Sequence, residues 1–156
     1  MKRILVPTDF SAPSLEAVRY GVELTSMVEG ELFLLHVIEG EPTRCHAVGE
    51  LPASLPYALD LTVIRVGPQP PQKVICHDLC EEAAWRLAAL WPVGVSERFH
   101  TLVTVGRAAD EIVRVAKETS VDLIVIGAGT RRGLRRLLRR PVAAKVGHKT
   151  HIPVIT

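Results

Sequence analysis

Short and almost uninterrupted apolar runs alternate along this chain with segments of helical periodicity, and this alternation constrains the fold more than any other feature. The runs lie at residues 3–7, 31–38, 98–105, 122–126 and 152–155. A strand that is apolar at nearly every position has both faces covered, which is typical of a parallel sheet between helices. The sequence therefore predicts an α/β fold with a single doubly wound, mostly parallel five-stranded sheet and helices on both faces.

Helical signals fill the segments between these runs. Ser11 is a candidate N-cap for the first helix, and Pro13 suits its first turn, where an early helical N–H has no partner to lose. Apolar or small residues then recur at helical spacing at Ala17, Gly21, Leu24 and Val28. The predicted helices span about residues 12–28, 73–90, 108–120 and 141–149.

Residues 39–72 form the one long connection in this pattern. Six prolines fall within it, so we expect an irregular, Pro-rich segment in which "LDLTVIRV" is either an extra strand or a packed loop. With no internal repeat, the whole chain, residues 1–156, is predicted to be one domain.

Composition places the chain among ordinary soluble globular proteins, at 47% hydrophobic and 23% charged residues. No apolar run approaches the roughly 18 residues that a membrane span needs. The opening "MKRILVPTDF" breaks at Pro7 and Asp9, unlike a secretory signal. Three cysteines without a framework spacing indicate reduced thiols. We therefore expect a cytoplasmic protein without membrane contact.

The formal net charge of +2 hides a segregation of charge along the chain. No Asp or Glu follows Asp122, whereas eight of the 19 Lys and Arg residues do, six of them arginines between Arg131 and Arg140. A basic tail on an acidic body favours an anionic partner, or self-association with that body.

Candidate ligand chemistry lies where strands end, because open α/β sheets bind ligands beyond the carboxyl ends of their strands. Asp9 follows the first strand in "PTDFS", and "GAGTRRG" follows the fourth. A carboxylate in such a turn accepts hydrogen bonds from ribose hydroxyls or an exocyclic amine, and a glycine turn before a helix presents N–H groups to phosphate. The alternative for Asp9 is a turn residue that caps the first helix together with Ser11.

Several segments together resemble the universal stress protein family. They are "ILVPTDFSAPSLEAVRYG", "LLHVIE", "GRAADEIVRVAKE", "DLIVIG" and the closing "PVAAKV…IPVIT", in the family's order, with residues 39–96 the least similar. The resemblance implies a small cytoplasmic protein with a Rossmann-like (adenine nucleotide alpha hydrolase-like) fold. It also implies a homodimer paired through the last strand. One branch of the family binds ATP and another does not.

The ATP-binding branch carries Gly, two residues, Gly, nine residues, Gly and then Ser or Thr after the fourth strand. On this sequence these four positions are Gly127, Thr130, Arg140 and Pro141, so only the first is kept. Thr130 and Arg140 put side chains where backbone would approach phosphate, and Pro141 has neither hydroxyl nor N–H. The positions that match the family's adenosine-binding residues, Pro7, Asp9 and Val37, are intact. The resemblance thus implies a site with an altered triphosphate half.

Two outcomes for this site stay open. In the first, arginines hold the phosphate by bidentate hydrogen bonds in place of glycine N–H groups, and the ligand is ATP (with Mg²⁺), AMP or a cyclic nucleotide. In the second, ordinary ATP binding is weakened or lost. We favour the second. The candidate nucleotide-binding residues are Pro7, Thr8, Asp9, Val37, Ile126, Gly127, Gly129, Thr130, Arg131, Arg132 and Val142.

The arginine segment has its own alternatives. Its arginines recur four apart around three leucines, as on a solvated basic helix face. Contact with nucleic acid or an acidic protein is a rival function. The basic tail contains no Phe, Trp or Tyr, however, so base stacking is unsupported.

Metal binding and catalysis find little support. Cys76, His77 and Cys80, with Cys45 and His46, supply ligand types for zinc without a standard spacing, so we expect no metal. His36 and His100 are interpreted as packed strand residues. No catalytic constellation is visible. We therefore expect a stress-response protein that acts by binding rather than by catalysis.

Overall fold

The computed structural model describes residues 2–40, 76–90, 98–128 and 141–156. In these ranges strands and helices alternate strictly. Their bounds are β1 (Arg3–Pro7), α1 (Ala12–Met27), β2 (Glu31–Glu39), α2 (Cys76–Ala88), β3 (Phe99–Gly106), α3 (Ala108–Glu118), β4 (Leu123–Val125), α4 (Val142–Lys149) and β5 (Val154–Ile155). The predicted order is confirmed, while most of the Pro-rich connection, including "LDLTVIRV", lies outside the described residues.

All five strands form one parallel sheet in the order β3-β2-β1-β4-β5. The chain builds outwards from β1 to β2 and β3, and then returns to the other side of β1 with β4 and β5. The connections from β1 and β4 therefore leave in opposite directions and open a crevice at the carboxyl ends of these two strands. The predicted doubly wound sheet is confirmed.

Two apolar layers cover the sheet, one on each face. On one face, Leu5 and Leu35 pack with α3 and α4, through residues such as Ile112 and Val146. On the other face, Ile4 and Leu34 pack with α1 and α2. Successive residues of β1 point to opposite layers and are all buried after Arg3. This double burial is the physical reason for the uninterrupted apolar runs.

The observed elements are shorter than the predicted ones at several ends. Helix α2 ends at Ala88 rather than residue 90, and β5 begins at Val154 because Pro153 has no N–H for the ladder. Val28, predicted on the buried stripe of α1, follows the helix as its C-cap and is 40% exposed. No helix in the described ranges has the length and apolarity to cross a membrane.

A buried polar cluster fastens α3 to β3. The Thr104 hydroxyl donates to Glu111 Oε2, and Arg114 Nη2 lies 2.7 Å from the same oxygen. Gly106 ends the strand at φ +153°, and a Cβ there would lie 2.8 Å from Glu111 Cγ. The buried carboxylate is thus paired and hydrogen-bonded, as burial of a charge requires.

Candidate functional site

The turn between β1 and α1 carries three of the predicted site residues, Pro7, Thr8 and Asp9. The Thr8 N–H donates to the Leu35 carbonyl at 2.8 Å, which continues the pairing of β1 with β2 by one residue. The buried Thr8 hydroxyl lies 3.0 Å from the Ser14 hydroxyl in the first turn of α1. These bonds fix the turn to the strand before it and the helix after it, so that Asp9 lies at the carboxyl edge of the sheet.

Asp9 forms a side-chain turn with Ser11. The Ser11 N–H donates to Asp9 Oδ1 at 3.0 Å, and the Ser11 hydroxyl donates to the same oxygen. Burial raises the pKa of the Asp9 carboxyl, but the hydrogen bonds from Ser11 outweigh it and hold the pKa below its usual value of 3.8. Asp9 is therefore ionised at neutral pH, and its Oδ2 takes part in neither bond with Ser11.

The predicted capping role of the Ser11 side chain is wrong. Ser11 is the N-cap residue of α1, but its side chain makes no capping hydrogen bond. Its hydroxyl is committed to Asp9, while its carbonyl accepts from the Leu15 N–H at 2.9 Å. The hydroxyl donates to the carboxylate in a charge-assisted bond, which orients the Ser11 side chain towards Asp9.

Gly127 follows β4 and lies against the backbone of α1. A Cβ at this position would lie 2.4 Å from the Pro13 carbonyl oxygen and 2.7 Å from Ser14 Cα. Contacts this short with backbone leave room for no side chain, so glycine is required where β4 approaches α1. The approach brings Gly127 beside the turn that holds Asp9, across the crevice between β1 and β4.

The other described site residues lie farther along the same edge. Ile126 is buried and donates its N–H to the Ile155 carbonyl at 2.9 Å, and the half-buried Val37 packs against the apolar cluster that contains Ile126. Val142 begins α4 and is 37% exposed. Gly129, Thr130, Arg131 and Arg132, with the rest of the arginine segment to Arg140, lie outside the described residues.

Pro141 occupies the N-cap position of α4, with φ −53°. This is the position at which the family's ATP-binding motif has Ser or Thr. Proline supplies neither a side-chain hydroxyl nor a backbone N–H, so the start of α4 lacks two groups that would otherwise bind an anion. The sequence difference from the family's motif therefore lies at the N-terminal end of α4.

Four residues around Asp9 were missed by sequence reasoning as parts of this site. They are Phe10, Ser14, His36 and Arg86. Phe10 has φ +61°, which is uncommon for a residue with a large side chain. The sequence shows that Phe10 is adjacent to Asp9, but no sequence pattern indicates that Phe10 contacts Arg86 of α2. His36 and His100 are partly buried strand residues, as predicted, and each ring lies against a phenylalanine ring.

Metal ligands are not gathered anywhere in the described part of the chain. No group of three or more His, Cys, Asp or Glu residues there could hold a metal ion. Cys45 and His46 lie outside that part, as do the side chains of Cys76, His77 and Cys80.

The fold and the turn at its switch point define a Rossmann-like α/β protein with an acidic residue at the crevice. The model of the universal stress protein family matches residues 1–156. The chain belongs to the universal stress protein family.

Two relatives from Methanocaldococcus jannaschii illustrate the similarity. The chain is 30% identical to universal stress protein MJ0531 over 154 residues, covering 99% of this chain and 80% of the relative. It is 25% identical to universal stress protein MJ0577, covering 99% and 93%. The solved structure of MJ0577 superposes with a TM-score of 0.65.

Two solved structures of more distant similarity contain nucleotides. A universal stress protein in complex with cAMP is 21% identical, with a TM-score of 0.58 and coverage of 99% of this chain and 94% of that chain. The universal stress protein from Archaeoglobus fulgidus in complex with dAMP is also 21% identical, with a TM-score of 0.56 and coverage of 99% and 96%. At this identity the likeness shows the shared fold.

The packing of Gly127 predicts opposite effects for two glycine-to-alanine changes. Gly127→Ala should lower the free energy of unfolding by about 2 kcal/mol or more, because β4 or α1 must move to admit the methyl group. Gly147→Ala is the matched control. Its Cβ would meet nothing within 4 Å, and in helix α4 it should stabilise by up to about 1 kcal/mol. Urea unfolding of both variants measures the difference, and equal effects would contradict the backbone approach described here.

Proposed function

We propose that this protein binds an adenine nucleotide, without catalysis, at the crevice between β1 and β4, and that it binds AMP more tightly than ATP. The observation that carries the proposal is the ionised Asp9 carboxylate, fixed through Oδ1 by Ser11 at the switch point of the sheet. A fixed anion at this place is an acceptor for ligand hydroxyl or amino groups, and it requires no reorganisation when the ligand arrives.

The adenosine part of the ligand would lie over an apolar floor beside this acceptor. Val37 and Ile126 border the same apolar cluster, and Asp9 Oδ2 would accept from a ribose hydroxyl. Nucleotide sites commonly combine apolar walls with a few oriented polar groups. The cAMP and dAMP complexes of structurally similar proteins support an adenine nucleotide with a single phosphate as the ligand class.

The phosphate part is the reason to expect weakened binding of ATP. Pro141 removes a hydroxyl and an N–H from the start of α4, and Thr130 and Arg140 replace two glycines of the family's motif. Side chains at these positions hinder the close passage of a triphosphate along the backbone. One phosphate needs fewer donors, which Arg131 and Arg132 would supply as bidentate guanidinium groups.

Binding without catalysis also follows from the properties of Asp9. A carboxylate whose pKa lies below its usual value is a weak general base at neutral pH, because its affinity for a proton is small. Asp9 is therefore suited to orient a ligand rather than to activate water. We place the protein in the cytoplasm as a stress-response protein whose state depends on the nucleotide bound.

An acidic partner is the second candidate, supported by a basic surface on α3 and α4. Lys149 forms an ion pair with Asp110, and its hydrogen bond is the main cause of the lowered pKa of the Asp110 carboxyl. The charges of Arg107 and Lys145 lower that pKa further. The two candidates differ in their dependence on salt. Binding of a polyanion weakens steeply as ionic strength rises, whereas a nucleotide enclosed in a crevice is affected much less.

Removal of the Asp9 carboxylate tests the nucleotide site. Asp9→Ala should weaken AMP binding by about tenfold or more, since a hydrogen bond to a charged group contributes about 1.5–3 kcal/mol. Calorimetric titration at physiological salt measures the affinity. Asp110→Ala is the control, because it removes an exposed carboxylate from α3 and should leave AMP affinity unchanged. Wild-type affinity in Asp9→Ala would refute the proposed site.

We also propose that two copies pair through β5. This strand is at the edge of the sheet, and its Pro153 and Ile155 carbonyls accept hydrogen bonds from β4. In an extended strand alternate residues face opposite sides, so the backbone groups of Val154 face away from β4. An edge strand that offers such groups beside an exposed apolar residue, here Ile155, is suited to pairing with another chain.

A lysine on this edge should dissociate the dimer. Ile155→Lys introduces a charge that must be desolvated on pairing, and edge lysines are a common means of blocking strand association. Sedimentation equilibrium should show a dimer for the wild type and a monomer for the variant. Met27→Lys changes a more exposed apolar residue on α1 and should leave the mass unchanged. A dimeric Ile155→Lys protein would exclude this interface.

A further inference from the structure

Three side chains form a stack on the α1 and α2 side of the sheet, beneath the turn that carries Asp9. Arg86 Cζ lies 4.0 Å from the centroid of the Phe10 ring. The Phe10 and His36 ring centroids are 4.6 Å apart, with their planes inclined by 38°. Phe10 directly follows Asp9, the proposed ligand acceptor. The stack therefore connects Arg86 of α2 and His36 of β2 to the turn that holds Asp9.

Phe10 needs this support, because its backbone is in the left-handed region at φ +61°. For a residue with a Cβ this conformation costs roughly 1–2 kcal/mol. Its N–H donates to Thr8 Oγ1 at 3.0 Å, and its ring is held between neighbours by cation–π and ring contacts. The strained conformation turns the chain sharply between Asp9 and α1, so it determines where the carboxylate points.

His36 also holds the residue on the other side of Asp9. Its Nδ1 lies 2.8 Å from the Thr8 carbonyl oxygen. A carbonyl only accepts hydrogen bonds, so Nδ1 must carry the proton and donate it. One imidazole thus contacts both neighbours of Asp9, by a hydrogen bond to Thr8 and by a ring contact with Phe10.

We propose that His36 is the positioning residue of the nucleotide site: its Nδ1–H bond to the Thr8 carbonyl and its contact with Phe10 set the orientation of the Asp9 carboxylate. The effect of His36 on nucleotide affinity rests on the proposed function. The effect of His36 on the orientation of Asp9 does not depend on any ligand.

The charges that face His36 make this arrangement sensitive to pH. Burial lowers the pKa of the His36 imidazole below 6.5 and Arg86 of α2 lowers it further, whereas the Thr8 bond and Asp9 of the turn act against them. From β3, the uncharged Val103 lies opposite His36. The neutral ring is therefore favoured in the folded protein. As pH falls from 6.5 through the folded pKa, protonation places a second cation beside Arg86, so the stack and the nucleotide site should weaken together.

The test compares His36→Asn, whose amide nitrogen can occupy the place of Nδ1, with His36→Leu, which has no donor. The pKa of Asp9 is measured in the ligand-free protein by carbon-detected NMR titration, and adenosine affinity is measured by calorimetry between pH 5.5 and 7.5. Adenosine is the probe because a phosphate's own ionisation near pH 6 would confuse the pH series. His100→Leu is the matched control, because His100 stacks on Phe33 in the neighbouring strand pair, away from the turn.

His36→Leu should raise the pKa of Asp9 towards 3.8 and weaken adenosine binding about tenfold, the effect of losing about one oriented hydrogen bond. His36→Asn should restore both values and abolish the decline in affinity below pH 6.5. His100→Leu should change neither. Equal behaviour of the Asn and Leu variants, or a wild-type pKa of Asp9 in His36→Leu, would overturn the proposal.

Failure of the proposed function has a different signature. If the wild type binds no adenosine, the nucleotide proposal fails, while the pKa of Asp9 in the His36 variants still decides whether His36 positions it. If His36→Leu does not fold, the wild-type and His36→Asn proteins decide the matter: an Asp9 pKa in His36→Asn that departs from the wild-type value, or a wild-type affinity that is constant across the pH series, would contradict the positioning role.

Discussion

The contact between Gly127 and the first turn of α1 is the constraint on which the site depends. It brings β4 against the backbone of Pro13 and Ser14, and Ser14 in turn contacts Thr8. The crevice of a doubly wound sheet exists because connections diverge at the switch point, but its width is set by how closely the two strand ends approach. Here that distance leaves no room for a Cβ. Gly127 therefore has a structural role whether or not a phosphate ever lies beside it, which explains why this glycine can remain while the others of the motif are replaced.

The Asp9 turn shows how a local acceptor is made rigid by distant parts of the chain. Ser11 fixes Oδ1 from the helix side, and β2 holds Thr8 through Leu35 and His36. Phe10 adds a strained backbone that is stabilised by contacts with His36 and Arg86. Strain of this kind persists only where the surroundings overdetermine it, and such positions are often functional. The turn that carries Asp9 is thus held by several contacts, whereas Pro141 gives the start of α4 neither a side-chain hydroxyl nor a backbone N–H.

The fold was predictable because burial on both faces of a parallel sheet leaves a direct mark on the sequence. The runs around Leu5 and Leu34 could hardly have formed half-exposed strands, and residue type alone placed Asp9 at a strand end. The side-chain partners of the site were harder to predict. Ser11 has the sequence signature of a helix cap, but its hydroxyl donates to the Asp9 carboxylate and its side chain makes no capping bond. The contact of Arg86 with Phe10 joins elements far apart in sequence, and no local pattern encodes such a pair.

The most direct test of the central claim compares AMP and ATP affinity before and after the family's phosphate motif is restored. The measurement is calorimetric, on the wild type and on the triple variant Thr130→Gly, Arg140→Gly, Pro141→Ser. We expect the wild type to bind AMP more tightly than ATP, and the triple variant to reverse this order by gaining about tenfold or more for ATP. Tighter binding of ATP than AMP by the wild type, unchanged in the triple variant, would contradict it.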